Sequence, residues 1–446
     1  MNRPEAITGS KQVAADGYRS PYGRSICFLT LGCKLNQCET GELRQRFFDH
    51  GFRPVEDISL AEIVYISTCG VTARAEQKSR QAIRHAAQIN PNARIVVTGC
   101  AVQRFPEAFA SLPGVSQVLG SQERMNPFPV LESGARQVVT DIDPERIYIA
   151  AGAPHGRTRA MIKIQDGCSV NCTYCVVPQA RGPSRSVPPE EIISRTTELI
   201  DSGYQEIVLS GVHIGDYGKG LTGWNLCKLL DKLDNLTGTY RLRLSSLEPW
   251  TITPELIQRI TTGKRVCPHI HIPFQSGSTA VLKGMRRPYD REGLEAVLDA
   301  IAQHPDIGLG GDVITGFPGE SESDFQQTIE LIESYPFSYL HVFPFSSRPG
   351  TPACDFPLQL NSAEITHRAK VLRALGQGKK IEFMSKLLGK TLRVIFEQKL
   401  RDGYRYGTAE NYAKVRSEDI NILPGTTCSM KITDVAALPI TGVMIH

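Results

Sequence analysis

The stretch that decides the fold is Ala160–Cys175, AMIKIQDGCSVNCTYC. MIKIQ reads as a strand, and Cys168-Ser-Val-Asn-Cys172-Thr-Tyr-Cys175 follows it directly. Three thiolates at this spacing can grip three irons of a four-iron, four-sulfur cluster. No fourth cysteine follows at once, so one iron stays open. An open iron can chelate a ligand through an amine and a carboxylate, the pair that methionine's α-carbon carries. Zinc is the alternative. A structural zinc usually takes four protein ligands, and His155 and His213 are the distant candidates for a fourth. The spacing favours the cluster.

Outward toward the C-terminus, strand-like runs EIVLSG, RLRLSS, HIHIPF, IGLGGDVI and YLHVFPF alternate with helical patterns near 188–202, 224–236, 253–262, 277–304 and 320–334. Six βα units in a row predict a partial or full barrel whose working loops lie at the C-terminal strand ends. A basic helix follows near 363–388. Then TLRVIFEQ, YRYGTAEN, YAKVRS, TTCSMKITDV and TGVMIH predict a small β-barrel. Residues Thr366–Arg393 carry eight Lys/Arg against one Glu. Such a stretch can bind phosphate backbone, or it can be a solvated helix face.

Outward toward the N-terminus, residues 121–159 read as an irregular connection with Pro127, Pro129, Pro144 and Pro154. Before it, SICFLT, EIVYIST and ARIVVTG read as buried strands, with helices from Glu39, Thr72 and Val102. This predicts an open α/β sheet, most simply parallel. Cys33, Cys69 and Cys100 each follow one of these strands. Loops after parallel strands share one edge, where ligands bind, so three thiolates there would form a second site. Three buried structural cysteines are the alternative. Cys27 reads as core, Cys38 as a spectator or competing thiol, and Cys227, Cys267, Cys354 and Cys428 as structural.

Composition sets the frame. The 446 residues suffice for roughly three domains at about 150 each. No run approaches the ~20 apolar residues of a membrane helix, and the first 24 residues have no signal-peptide core. The expected compartment is therefore the cytoplasm, with no membrane partner. Twelve cysteines in a reducing compartment point to metal or catalysis rather than disulfides. The net charge of +4 announces no nucleic-acid binder by itself.

CxxxCxxC with Tyr174 before the last cysteine resembles the radical S-adenosylmethionine superfamily, over most of residues 160–350. The resemblance implies S-adenosylmethionine bound at the open iron and cleaved reductively to a 5′-deoxyadenosyl radical. Ser210-Gly211-Val212 resembles the segment that receives the methionine amine. The run from Gly311 to Glu320, GDVITGFPGE with Gly316, resembles the glycine-rich element beside the adenine.

From about Arg24 to the end, the chain resembles the methylthiotransferase family. The motifs are TLGCKLNQCET, STCGVT and VTGCAVQ, then GCSVNCTYCVVPQARGPSRS, LSGVHIGDYG, RLSSLEP, HIHIPFQSGS with MRRPY, GDVITGFPGES and HVFPFSSRPGT. The end resembles that family's small RNA-binding barrel, the TRAM domain. Ser67 stands where the family usually has Asn, Cys38 stands where an aromatic is common, and residues 1–23 match nothing. The implied order is a flexible arm (1–23), an N-terminal methylthiotransferase domain (24–135), a linker (136–153), a radical S-adenosylmethionine core built as a six-unit βα partial barrel (154–383), and a TRAM-like barrel (384–446).

TLGCKLNQCET and HVFPFSSRPGT look most like the branch that acts on N6-threonylcarbamoyladenosine next to the tRNA anticodon, adding a methylthio group at C2. The resemblance implies two 4Fe-4S clusters, one on Cys33, Cys69 and Cys100 and one on Cys168, Cys172 and Cys175. One S-adenosylmethionine methylates sulfur held at the first cluster, and another yields the radical at the second. Implied partners are the tRNA anticodon loop, an electron donor such as flavodoxin or ferredoxin, and a sulfur source. Arg181, Arg185 and Arg243 lie near the expected site, with Arg185 the preferred methionine-carboxylate partner. Glu248 would face the ribose hydroxyls. A surface salt bridge is the alternative for each. Tyr404, Tyr406, Tyr412, Lys414 and Arg416 are candidates for holding RNA, or the tyrosines fill the barrel core. Competing readings are another tRNA adenosine, a ribosomal protein aspartate, and a non-catalytic, metal-stabilised RNA-binding protein. An electron carrier would not need the glycine-rich elements.

Overall fold

The computed structural model describes residues 25–152 and 158–445. The expected arm at 1–23 and the candidate ligand His155 lie outside the described residues.

The first sheet has six strands in the order β2-β1-β3-β4-β5-β6: β1 (Ser25–Thr30), β2 (Arg53–Val55), β3 (Ile63–Thr68), β4 (Arg94–Gly99), β5 (Val115–Leu119) and β6 (Gln137–Val138). Every pairing is parallel. β1, β3 and β4 are the strands expected from their unbroken apolar runs, the mark of strands covered on both faces. β2, β5 and β6 are short or carry polar residues, so no such run announces them. Helix α1 (Lys34–Asp49) starts five residues before the expected Glu39. Its buried face carries Asn36, Glu39, Thr40 and Glu42, so no apolar stripe marks its first turn. Helix α2 (Ala73–Ile89) is capped by Thr72, whose hydroxyl accepts from Ala75 N–H.

The stretch expected as an irregular connection is stitched into both neighbouring sheets. β6 extends the first, and β7 (Ala150–Gly152) pairs antiparallel with β8 (Ala160–Lys163) of the second. A two-residue antiparallel pair, β9 (Gln165–Asp166) and β10 (Arg185–Ser186), brackets the cysteine loop. The barrel then continues through β11 (Glu206–Ser210), β12 (Arg241–Leu244), β13 (His269–Gln275), β14 (Gly308–Thr315) and β15 (Phe337–Pro344). Its two parallel halves, β8-β11-β12 and β13-β14-β15, meet through a bridge between Leu242 and Val266. Six parallel strands thus form an open, partial barrel. Ile207, Leu209, Leu242, Leu244, Ile270 and Ile272 pack in the hydrophobic core. The alternate residues of these strands, Glu206, Arg241, Arg243, His269 and His271, take the opposite face, toward the lumen.

The last body is a closed barrel: β16 (Thr391–Arg401), β17 (Tyr404–Ala409), β18 (Lys414–Ser417), β20 (Ile440–Met444) and β19 (Thr427–Asp434) in that spatial order. Val394, Phe396, Ala409, Val415, Met430, Ile432 and Ile440 fill it. It docks under the partial barrel through two buried arginines. Arg241 donates to the carbonyls of Arg393 and Thr408, and Arg243 to those of Ala409 and Glu410. Both pair with Glu206, which is fully buried. Arg243 is therefore a docking residue. It lies level with Val208 of β11 and Met161 of β8, before the strand ends that carry the cysteine loop. Among the described residues, no helix is long and apolar enough to cross a membrane.

Candidate active site

The first site follows from parallel strand ends. Cys33 sits in the loop before α1, Cys69 directly after β3, and Cys100 opens helix α3 (Cys100–Arg104). Gly32 has φ 99°, and a Cβ there would stand 2.8 Å from Cys69 Sγ, so only glycine lets this loop cross the thiol. Asn36 donates to the carbonyls of Leu31 and Thr68, tying two of the loops together. Ser79 accepts from Cys69 N–H at 3.1 Å. Ser67 faces Thr40, 3.3 Å between hydroxyls. Burial pushes the Cys69 thiol up to about 11.

The second site lies at the C-terminal ends of the barrel strands. Each sulfur has one N–H donor. Val170 N–H points at Cys168 Sγ (3.4 Å), Val177 N–H at Cys175 Sγ (3.5 Å), and Arg287 Nη1 at Cys172 Sγ (3.4 Å). Such bonds to sulfur are among the levers that set a cluster's potential. Burial pushes Cys168 up to about 11 and Cys175 to about 12. Arg287 also pairs with Glu248, donates to Pro273 O, and lies over the rings of Trp250 (4.8 Å) and Tyr289 (5.3 Å). Burial pushes the Glu248 carboxyl up, against the pull of Arg287.

The other candidates fall into two groups. Ser210, Gly211, Glu248 and Gly316 lie at the same strand ends as Cys168. A Cβ on Gly211 would meet Gln165 O at 2.9 Å, and Gly316 takes φ 75° with its N–H bonded to Glu320 at 2.7 Å. Tyr174 packs with Val281, Met285 and Phe317. Arg185, by contrast, is spent on backbone: it donates to the carbonyls of Asp143, Arg146 and Arg181. It ties the connecting segment to the stretch that follows the cysteine loop.

Arg181 belongs to a buried network that no local pattern announces. Glu39 of α1 pairs with Arg124 (2.6 Å), Lys163 (3.0 Å) and Arg181 (3.1 Å). Asp166 pairs with Lys163 and Arg181. Burial alone would push the Glu39 carboxyl up. Arg124, Arg181 and Lys163 outweigh it and hold the carboxyl well below the usual range. The network locks the first sheet onto the partial barrel, and so the two cysteine triads onto each other. The Arg181 charge acts on Cys33, Cys69 and Cys100, and the Arg104 guanidinium feels both Cys100 and Cys175.

The described residues hold one group of His, Cys, Asp or Glu whose ligand atoms lie within 4.8 Å of one another, and it is His271–Asp312–His341. Neither cysteine triad is that tight, alone or with His213. Three sulfurs on one zinc at about 2.3 Å each would be closer. Within each triad the thiols lie close enough to act on one another: Cys33 and Cys69 each feel Cys100, Cys168 feels Cys172, and Cys175 feels both.

On the closed barrel, Tyr404, Tyr406, Lys414 and Arg416 lie half-buried on the outer face of the β17–β18 pair, and none fills the core. The Arg416 guanidinium stands 4.4 Å over the Tyr404 ring. Tyr412 follows the strand turn, with Lys414 Nζ 5.2 Å from the centre of its ring. It has φ 71° and stacks on His269 (4.6 Å) and near Tyr339 (5.3 Å) of the partial barrel. Between β15, the helix Ser362–Ser385 and this turn runs a groove of about 290 Å³, lined by Tyr339, His341, Arg373, Lys380, Tyr412 and Lys414 among others.

An open six-strand βα barrel with three cysteines in the loop after its first strand defines a radical S-adenosylmethionine enzyme. Comparison with known proteins agrees. The Radical SAM superfamily model matches residues 162–332, and the model described as Uncharacterized protein family UPF0004 matches residues 25–120. The chain is 38% identical to a threonylcarbamoyladenosine tRNA methylthiotransferase of Bacillus subtilis, covering 92% of this chain and 93% of that one. Identity to the protein of the same name from Aquifex aeolicus is 36%, covering 88% and 96%. Identity to a tRNA-2-methylthio-N(6)-dimethylallyladenosine synthase of Desulfitobacterium hafniense is 32%, covering 84% and 86%. The fold is also similar to a solved radical S-adenosylmethionine methyltransferase from Kitasatospora setae, with TM-score 0.56 at 13% identity, covering 85% and 79%. The chain belongs to the radical S-adenosylmethionine methylthiotransferase family.

Proposed function

We propose that this chain adds a methylthio group to C2 of N6-threonylcarbamoyladenosine beside the anticodon of tRNA. The observation that carries the proposal is the pair of three-cysteine loops at strand ends, close enough that the Arg104 guanidinium feels Cys100 of one and Cys175 of the other. When bound, one 4Fe-4S cluster would supply the electron that cleaves S-adenosylmethionine to a carbon radical, and the other would hold the sulfur that is transferred.

The chain's own residues hold and orient. Cys168, Cys172 and Cys175 take the radical-forming cluster, and Cys33, Cys69 and Cys100 take the other. Ser210 and Gly211 offer close backbone to the methionine end of S-adenosylmethionine, and Gly316 does so beside the adenine. Arg287 fixes Cys172 and Glu248 together. Tyr404, Tyr406, Lys414 and Arg416 give the barrel an aromatic and basic outer face suited to stacking and phosphate contact. The names of the relatives support a tRNA adenosine over a ribosomal protein. The 38% identity to a threonylcarbamoyladenosine enzyme, against 32% to a dimethylallyladenosine enzyme, supports the threonylcarbamoyl branch. The electrons come from a donor such as flavodoxin or ferredoxin, the sulfur comes from a separate source, and the compartment is the cytoplasm.

The test uses the purified chain with both clusters reconstituted, tRNA carrying N6-threonylcarbamoyladenosine, S-adenosylmethionine, dithionite and sulfide. Mass spectrometry of the digested tRNA should show the 2-methylthio nucleoside. Release of 5′-deoxyadenosine with the nucleoside unchanged would sink the substrate assignment.

A further inference from the structure

Three strands of the partial barrel build a hydrogen-bonded chain that neither cysteine site uses. His269 Nε2 and His271 Nδ1 each lie 2.9 Å from Tyr339 Oη. His271 Nε2 lies 2.8 Å from Asp312 Oδ1, and His341 Nδ1 lies 3.0 Å from the same oxygen. Tyr339 on β15 reaches β13 because Gly310 stands between them on β14. A Cβ there would sit 2.7 Å from His271 Nδ1.

The protons of this chain close without an ion. In the tautomers that satisfy every contact, His269 Nε2–H donates to Tyr339, whose hydroxyl donates to His271 Nδ1. His271 Nε2–H and His341 Nδ1–H both donate to Asp312 Oδ1. Two atoms are left over at the open end: Asp312 Oδ2, an acceptor, and Nε2 of His341, a residue whose side chain is 55% exposed.

Interactions lead from this chain toward both cysteine sites. On one side, the Asp312 charge acts on Glu248, the partner of the arginine that holds Cys172. On the other, Tyr412 covers His269 and Tyr339, and Lys34, the neighbour of Cys33, approaches its ring at 5.9 Å. The cationic groove between the barrel and the helix Ser362–Ser385 ends on His341 and Tyr339. A backbone lying in that groove would present a base to this polar pair.

We propose that Asp312 and His341 form the subsite for the polar N6 substituent of the target adenosine, held in place by His271 and Tyr339. The inference rests on the reading of the function given above. A threonylcarbamoyl group carries urea N–H groups, a hydroxyl and a carboxylate. Asp312 Oδ2 accepts from an N–H or the hydroxyl. His341 Nε2 accepts from the hydroxyl when neutral and donates to the carboxylate when protonated. A dimethylallyl substituent offers none of these, and it would leave both atoms desolvated and unpaired.

The test compares the reconstituted enzyme with D312N, H341A and H341Q, on tRNA carrying the threonylcarbamoyl group and on tRNA carrying a dimethylallyl group. D312N and H341A should raise KM for the first tRNA by about 10- to 100-fold, the range of a hydrogen bond to a charged group. They should release 5′-deoxyadenosine without matching product, keep the iron content of the wild type, and narrow its preference over the dimethylallyl tRNA. H341Q, which keeps a polar atom near Nε2, should recover most of the lost affinity. Unchanged KM and unchanged coupling in both D312N and H341A would overturn the subsite. So would one equivalent of Co(II) or Zn(II) bound by the protein before cluster loading and lost in D312N, because the three side chains would then be metal ligands. Wild-type enzyme inert on threonylcarbamoyl tRNA would overturn the function itself, and the subsite with it.

Discussion

On the proposed assignment, Cys172 and Cys69 separate the two halves of the chemistry. Cys172→Ala should abolish both 5′-deoxyadenosine release and thiolated product, because it removes a ligand from the radical-forming site. Cys69→Ala should still release 5′-deoxyadenosine while making no thiolated nucleoside. Product from the Cys69 variant, assayed by mass spectrometry, would remove the second site from the mechanism. The place of these cysteines at strand ends was legible, because their spacing and the apolar runs before them mark it. Arg287 was not. It sits in MRRPY with no pattern of its own, and its partners Glu248 and Cys172 lie 39 and 115 residues away. Arg185 looked available in RGPSRS, but three backbone carbonyls claim it. A count of charges does not show which carbonyls a fold leaves unpaired.

At the level of elements, α1 is the part that joins two bodies. Glu39 contacts three cations directly, at 2.6, 3.0 and 3.1 Å. Glu39→Gln leaves that charge uncompensated and should cost about 3–5 kcal/mol, read as a lower denaturant midpoint at pH 7. The pH dependence has a definite sign. A carboxylate held low in the folded chain adds stability that is complete above its unfolded value of about 4.3. That stability is lost as pH falls toward the folded value. The gap between wild type and Glu39→Gln should therefore stay constant from pH 7 to about 5 and close below about 4. A gap that widened in acid would contradict the network. The start of this helix was not legible, because its buried face is polar and no apolar period marks it. The barrel strands were legible for the opposite reason: RLRL and HIHI alternate cleanly, polar to the lumen and apolar to the helices.

Across the whole molecule, the charge of the C-terminal helix is mostly spent on ion pairs. The basic stretch near 366–393 overstated the free charge. Arg368 pairs with Glu320 and Glu364, Lys386 with Glu382, Lys390 with Asp306, and Arg393 with Glu410. What remains open lines the groove beside His341, where Arg373 and Lys380 make no ion pair among the described residues. Lys380→Ala should weaken tRNA binding whatever the nucleotide sequence, and reduce the slope of log K against log salt by about 1. Lys386→Ala should leave the slope unchanged. Equal effects of the two would mean that RNA does not follow the groove. The order of the three bodies was legible from changes in periodicity along the chain. Their docking was not, because it runs through Glu206, Arg241, Arg243 and backbone carbonyls about 150 residues further on.

The most direct measurement is mass spectrometry of tRNA nucleosides from cells lacking this protein, with the intact chain or the Cys172→Ala variant added back. Selective loss of 2-methylthio-N6-threonylcarbamoyladenosine, restored by the intact chain and not by the variant, is the expected result. A nucleoside profile that does not change when the protein is removed would contradict it.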